Sequence, residues 1–112
     1  MNIADLCPTP TRRVPFQLRD YQNLQRVSGG YALTTAPGEI LYIGKTNNFY
    51  RRFQEHLDNN EKTGMTSLGK AIWFYFLEYP EIQIGQLERS WLNQFLAKHA
   101  VLPELNKIYA SL

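Results

Sequence analysis

The apolar positions of this chain change their period several times, and each change marks an element. Residues 30–35 (GYALTT) and 39–44 (EILYIG) are rich in β-branched and aromatic side chains and predict two strands. Between them Ala36, Pro37 and Gly38 supply turn chemistry, because proline presets φ and glycine accepts a positive one. A hairpin follows. If Thr35 pairs with Ile40, the two-residue period of a strand places Tyr31 and Leu33 on one face with Ile40, Tyr42 and Gly44. A slip of one residue would part the two tyrosines, so this grouping rests on register.

After Gly44 the period lengthens. Thr46, Asn47 and Asn48 are good N-cap residues, and residues 49–58 are predicted helical. At about 100° per residue, Phe49, Phe53 and Leu57 form a core stripe, with Arg52 and His56 on its flank. Arg51 and Glu55 face outward and can pair. The adjacent arginines are therefore not equivalent: Arg52 is held at the edge of the core, beside the sheet, and Arg51 is solvated. Asn59, Asn60 and Gly64 break the helix. Residues 66–71 predict a short helix, residues 72–77 (IWFYFL) a buried strand ended by Pro80, and residues 85–99 a last helix stopped before Pro103. At the amino-terminal side, Pro8, Pro10 and Pro15 disfavour regular helix, and only Leu18, Tyr21 and Leu24 stand at helical spacing. The expected organisation is an arm (residues 1–27) lying across one domain (residues 28–112). The expected fold class is α+β, a small central three-stranded antiparallel sheet flanked by helices.

A chain of 112 residues has room for one domain. Its single cysteine, Cys7, cannot form an internal disulfide, so no oxidising compartment is called for and a cytoplasmic setting is expected. Twelve basic against ten acidic residues give +2, too little to identify a nucleic-acid binder by charge alone. No apolar run approaches the ~20 residues that span a bilayer. The first six residues carry Asp5 and no basic cluster, which argues against a signal peptide.

The last predicted helix holds an odd position. Leu87, Trp91, Leu92 and Phe95 define its apolar side, and Glu88 falls inside that sector. A carboxylate among core residues is costly unless it is paired, protonated or metal-bound. An acid in the first turn is also favoured by the helix dipole, and the wheel by itself prefers that plainer explanation.

Taken in order, Gly29-Gly30-Tyr31, Tyr42-Ile43-Gly44-Lys45, Arg52 with His56, Glu88 and Asn106 resemble the complete signature of the GIY-YIG nucleases. That family includes homing endonucleases, some restriction enzymes and the N-terminal cleavage domain of a bacterial excision-repair nuclease. The resemblance covers residues 28–107 and is most specific over residues 40–56 (ILYIGKTNNFYRRFQEH). One position departs from the pattern. Gly30 stands where the family usually has an aliphatic residue, which removes a packing side chain but no polar group.

The resemblance implies a DNA endonuclease that hydrolyses phosphodiester bonds with one divalent ion, Mg2+ or Mn2+, held by Glu88. Magnesium suits such a site because it binds through few carboxylates and keeps water and substrate phosphate as its other ligands. Arg52 would grip the scissile phosphate, since a guanidinium donates in a fork that matches phosphate oxygens. Tyr42 resembles the tyrosine proposed to activate water, which a phenol does only beside a cation such as Lys45, Arg52 or the metal. Tyr31 and His56 would complete the site by hydrogen bonding, and His56, which titrates nearest to neutral pH, is a further candidate proton acceptor. Which of these three is the base stays open. Asn106 would steady the site through its amide, or serve only a turn.

Arg12, Arg13, Lys62 and Lys70 are available to a DNA backbone but read as ordinary surface cations. The rival reading is a nucleic-acid-binding module of the same fold without catalysis, which Gly30 and the weak charge allow. A purely structural domain would make the ordered signature a coincidence. In this family target choice usually comes from attached domains. A DNA structure, unspecific nicking or a protein partner supplying specificity all stay open, and no membrane partner is expected.

Overall fold

Alternating side chains make both faces of a central sheet apolar, and a helix packs on each. The computed structural model describes residues 1–107; residues 108–112 of the expected domain lie outside the described residues. Strands β1 (Arg12–Pro15), β2 (Gly29–Thr34), β3 (Ile40–Thr46) and β4 (Trp73–Glu78) form one antiparallel sheet in the order β1-β4-β2-β3. The helices are α1 (Phe49–Leu57), the four-residue α2 (Asn60–Thr63) and α3 (Ile84–His99). Phe49 and Phe53 of α1 pack with Tyr31, Leu33 and Phe74 on one face, and Leu87, Trp91, Leu92 and Phe95 of α3 pack with Ala32, Ile40 and Ile43 on the other. Among the described residues, no helix is long and apolar enough to cross a membrane.

The α+β class is as expected, but the sheet has four strands rather than three. The extra strand comes from the arm. An edge strand pairs on one side only, so it tolerates the missing N–H of Pro15. The Phe16 N–H continues the pairing, donating to the Ile72 carbonyl at 2.8 Å. Val14, Phe16 and Leu24 then enter the core under α1, while Ile3 and Leu6 enter the core under α3. Leu18, expected at the same helical spacing as Leu24, opens a 3-10 turn (Leu18–Asn23) and stays exposed.

Two further expectations are corrected. In the β2–β3 hairpin Ile40 pairs with Thr34, not Thr35, and the register shifts so that Leu33 lies opposite Tyr42 and Tyr31 opposite Gly44. The irregularity resets the alternation. Tyr31, Leu33, Tyr42 and Gly44 keep their common face, while Ile40 moves to the α3 side. Residues 66–71 form no helix. Thr66 and Gly69 instead close a tight turn by mutual backbone hydrogen bonds, and Gly69 has φ of +119°, which a right-handed helix excludes. The start of α1 is as expected, with the Asn48 side chain accepting from the Arg51 N–H at 3.0 Å.

The unusual Gly30 has a packing reason. A Cβ there would lie 2.6 Å from a Trp91 ring carbon and 2.7 Å from a Leu87 methyl. The indole of α3 thus occupies the space of the missing side chain. Gly30→Val should cost about 1–3 kcal/mol of stability by overpacking. Urea denaturation of a double-mutant cycle with Trp91→Leu should show that the second change absorbs at least about 0.5 kcal/mol of that loss. Strict additivity would refute the complementarity.

Candidate active site

Gly44 lies opposite Tyr31 in the hairpin, and its bare Cα opens the site. A Cβ on it would sit 2.6 Å from the Tyr31 hydroxyl and 2.8 Å from the Tyr42 ring. Without one, the Tyr31 ring extends across the neighbouring strand and stacks with Tyr42, centroids 5.9 Å apart and planes 28° apart. Phe74 of β4 stacks on Tyr31 at 5.0 Å.

The flank of α1 delivers His56 to this pair. The Tyr31 hydroxyl and His56 Nε2 are hydrogen-bonded at 2.5 Å, and His56 stands edge-on to Tyr42 at 5.2 Å. Only 6% of His56 is exposed. Burial first, then the charges of Lys62 and Arg52, lower its pKa from 6.5 to about 3. His56 is therefore neutral at ordinary pH and does not titrate near neutrality as an exposed imidazole would. Burial also raises both tyrosines, Tyr31 well above the usual phenol value. Their hydroxyls interact in opposite senses: the contact raises Tyr31 and lowers Tyr42. Arg52 lowers both, and Glu88 raises both.

Arg52 and Glu88 thus act on the same tyrosine pair from different helices. Arg52 also lines a cleft of about 250 Å³, together with Lys45, Thr46, Asn47, Arg51, Glu81 and Ile84; neither tyrosine is part of that lining. Arg52 is half-buried. One terminal nitrogen lies 3.7 Å from Glu55, and its Nε is buried without a hydrogen-bond partner among the described residues. Arg51 turns outward to Glu55 at 3.4 Å and donates to the side-chain oxygen Oδ1 of Asn47 at 2.9 Å. Glu88, 2% exposed, does not line the cleft. Lys45 connects the two, lining the cleft and holding its Nζ 3.9 Å from a Glu88 oxygen.

Among the described residues, no group of three or more His, Cys, Asp or Glu side chains could hold a metal. A cation that needs a full protein cage does not fit. A divalent ion that takes a single carboxylate from the protein, with water and a phosphate as its remaining ligands, fits the residues present. The Arg52 guanidinium lines the same cleft, and its buried Nε is a donor left without a partner among the described residues.

Asn106 lies outside the cleft. Its side chain accepts from the Ile43 N–H and donates to the Ile43 carbonyl, both at 2.9 Å. It therefore satisfies the free edge of β3 between Tyr42 and Gly44. Arg12 and Arg13 are engaged at the β1–β4 edge, Arg12 with Glu78 at 3.3 Å and Arg13 over the Trp73 ring at 3.7 Å. Lys70 is exposed. Lys62 is not the surface cation it looked to be: only 8% of it is exposed, and its ammonium lies 4.6 Å from the Tyr42 ring centroid. Its stretch of sequence reads as a helix break, so nothing local marks it.

Compared with known families, the chain matches the GIY-YIG catalytic domain over residues 28–100. That span includes Tyr31, Tyr42, Lys45, Arg52, His56 and Glu88, and leaves out Asn106 and the arm. No curated protein matches the chain.

His56 binds a proton less readily folded, at about 3, than unfolded, at 6.5. The unfolded chain therefore takes up the extra proton first, and stability falls as pH drops below 6.5. Between pH 6.5 and 5 the loss should approach about 1.4 kcal/mol per pH unit. That window lies above the range where Glu61 and Glu104, both lowered from 4.5, contribute. Denaturant titrations at pH 7, 6 and 5 measure the slope, which His56→Gln should flatten.

Proposed function

Because the chain belongs to the GIY-YIG catalytic domain family, we propose that it is an endonuclease hydrolysing DNA phosphodiester bonds with one divalent cation, Mg2+ or Mn2+, at Glu88. The family is of nuclease type. The observation that carries the fuller reading is the joint action of a buried carboxylate and a half-buried guanidinium on one tyrosine pair.

Arg52 and Lys45 hold the phosphate in the cleft, Arg52 through its terminal nitrogens. When bound, the cation offsets the phosphate charge and weakens the hold of the Glu88 carboxylate on the Tyr42 proton. Tyr42 is the more accessible tyrosine and the one that meets water, whereas Tyr31 is fully buried. Burial raises both phenols, and their mutual contact adds to that rise at Tyr31 but opposes it at Tyr42. Neutral His56 holds the Tyr31 hydroxyl through its Nε2. The Tyr31 contact and Arg52 both oppose the effect of burial at Tyr42, which favours Tyr42 over Tyr31 as the phenolate that takes the proton from the water attacking phosphorus. On this reading Tyr42 is the base, and Tyr31, His56 and Asn106 are positioning residues. The exposed thiol of Cys7 suits a reducing compartment, the cytoplasm.

Supercoiled plasmid and branched DNA, incubated with Mg2+, Mn2+ or a chelator, test the proposal. Cleavage should need the metal, and Glu88→Ala and Arg52→Ala should each lower it by about 10²–10³-fold with the fold retained. Tyr42→Phe should cost about 10²–10⁴-fold. Equal outcomes for wild type and Glu88→Ala would overturn catalysis and leave a module that only binds nucleic acid.

A further inference from the structure

We propose that Lys62 is a positioning residue of this site, fixing the Tyr42 ring by laying its ammonium against the ring face. The inference rests on the catalytic part given to Tyr42. Lysine is rarely this buried without a reason, because its ammonium must give up water. Here the ammonium meets an aromatic face at 4.6 Å, the geometry in which a partly desolvated cation is attracted to the ring.

Tyr42 needs such a hold. It sits on β3, at the open edge of the sheet, two residues before a glycine that offers it no side-chain support. Its ring has Tyr31 stacked at 5.9 Å and His56 edge-on at 5.2 Å. Those two neighbours are bound to each other, and Lys62 adds a charged contact to the ring. The same ammonium brings positive charge close to the phenol and to His56.

The scaffold around Lys62 supports this placement. The Asn59 side chain caps α2 by accepting from the Glu61 N–H at 2.9 Å. The carboxylate of Glu61, next to Lys62 in the chain, is taken by Lys107 at 2.8 Å. Asn106, one residue earlier, clamps the backbone of Ile43 beside Tyr42. One short segment therefore braces Tyr42 twice, through the β3 backbone and through the helix that carries Lys62.

The test uses the full chain. Lys62→Met keeps the length and removes the charge, and Lys62→Arg keeps the charge. Lys62→Met should lower kcat about ten- to a hundredfold with KM little changed, and Lys62→Arg should retain most of the rate. Tyrosine-ring NMR, with the Tyr42 signal assigned by Tyr42→Phe, gives a readout that needs no activity. In Lys62→Met the Tyr42 signal should shift and broaden, while the Tyr31 signal stays in place. An unchanged Tyr42 signal, or equal loss of rate in both variants, would overturn the proposal. Absence of metal-dependent cleavage in the wild type would instead refute the nuclease reading, and the ring signal would still decide the role of Lys62.

Discussion

Under α1, the Tyr31 hydroxyl and His56 Nε2 meet at 2.5 Å in surroundings that leave neither much access to water. An unpaired polar group there would cost on the order of 1–3 kcal/mol, so each makes the other affordable. The pairing constrains the rest of the site. It sets the roll of α1, since His56 reaches Tyr31 only when Phe49 and Phe53 face the sheet. That roll in turn puts Arg52 at the rim of the cleft, half-buried, and turns Arg51 outward to Glu55. It also requires Gly44, because a Cβ there would strike the hydroxyl that makes the bond.

Around this bond the charges are arranged in opposition. Arg52, from α1, favours the ionised form of both tyrosines, and Glu88, from α3, opposes it. Each helix packs against its own face of the sheet, so the position of each charge is inherited from an apolar stripe. Lys45 stands between the cleft and Glu88, joining the open side of the site to its buried acid.

The edges of the sheet receive separate treatment. β1 shields the β4 side and is itself short and closed by proline. On the β3 side a single asparagine amide, Asn106, occupies the donor and acceptor of Ile43 as a neighbouring strand would. The Gly30–Trp91 contact shows the same complementarity within the core: a side chain absent from the sheet is matched by a larger one on α3. An aliphatic residue at position 30 would demand a smaller partner at 91.

Local periodicity by itself determined the hairpin, the apolar stripe of α1, the outward pairing of Arg51 with Glu55, and Glu88 within the apolar sector of α3. These depend on neighbours one to four residues away, which a sequence displays directly. The tertiary structure decided what depends on distant partners. Pro15 became part of a strand because β4 offered an edge, and Ile40 changed faces at an irregularity that only the paired register reveals. Lys62 left the surface when the turn at Asn59 carried it onto Tyr42. His56 lost its titration near neutrality only once burial, Lys62 and Arg52 surrounded it. Side-chain direction follows from the backbone period, but burial and electrostatic potential are sums over groups far apart in the chain, and those sums exist only in the folded molecule.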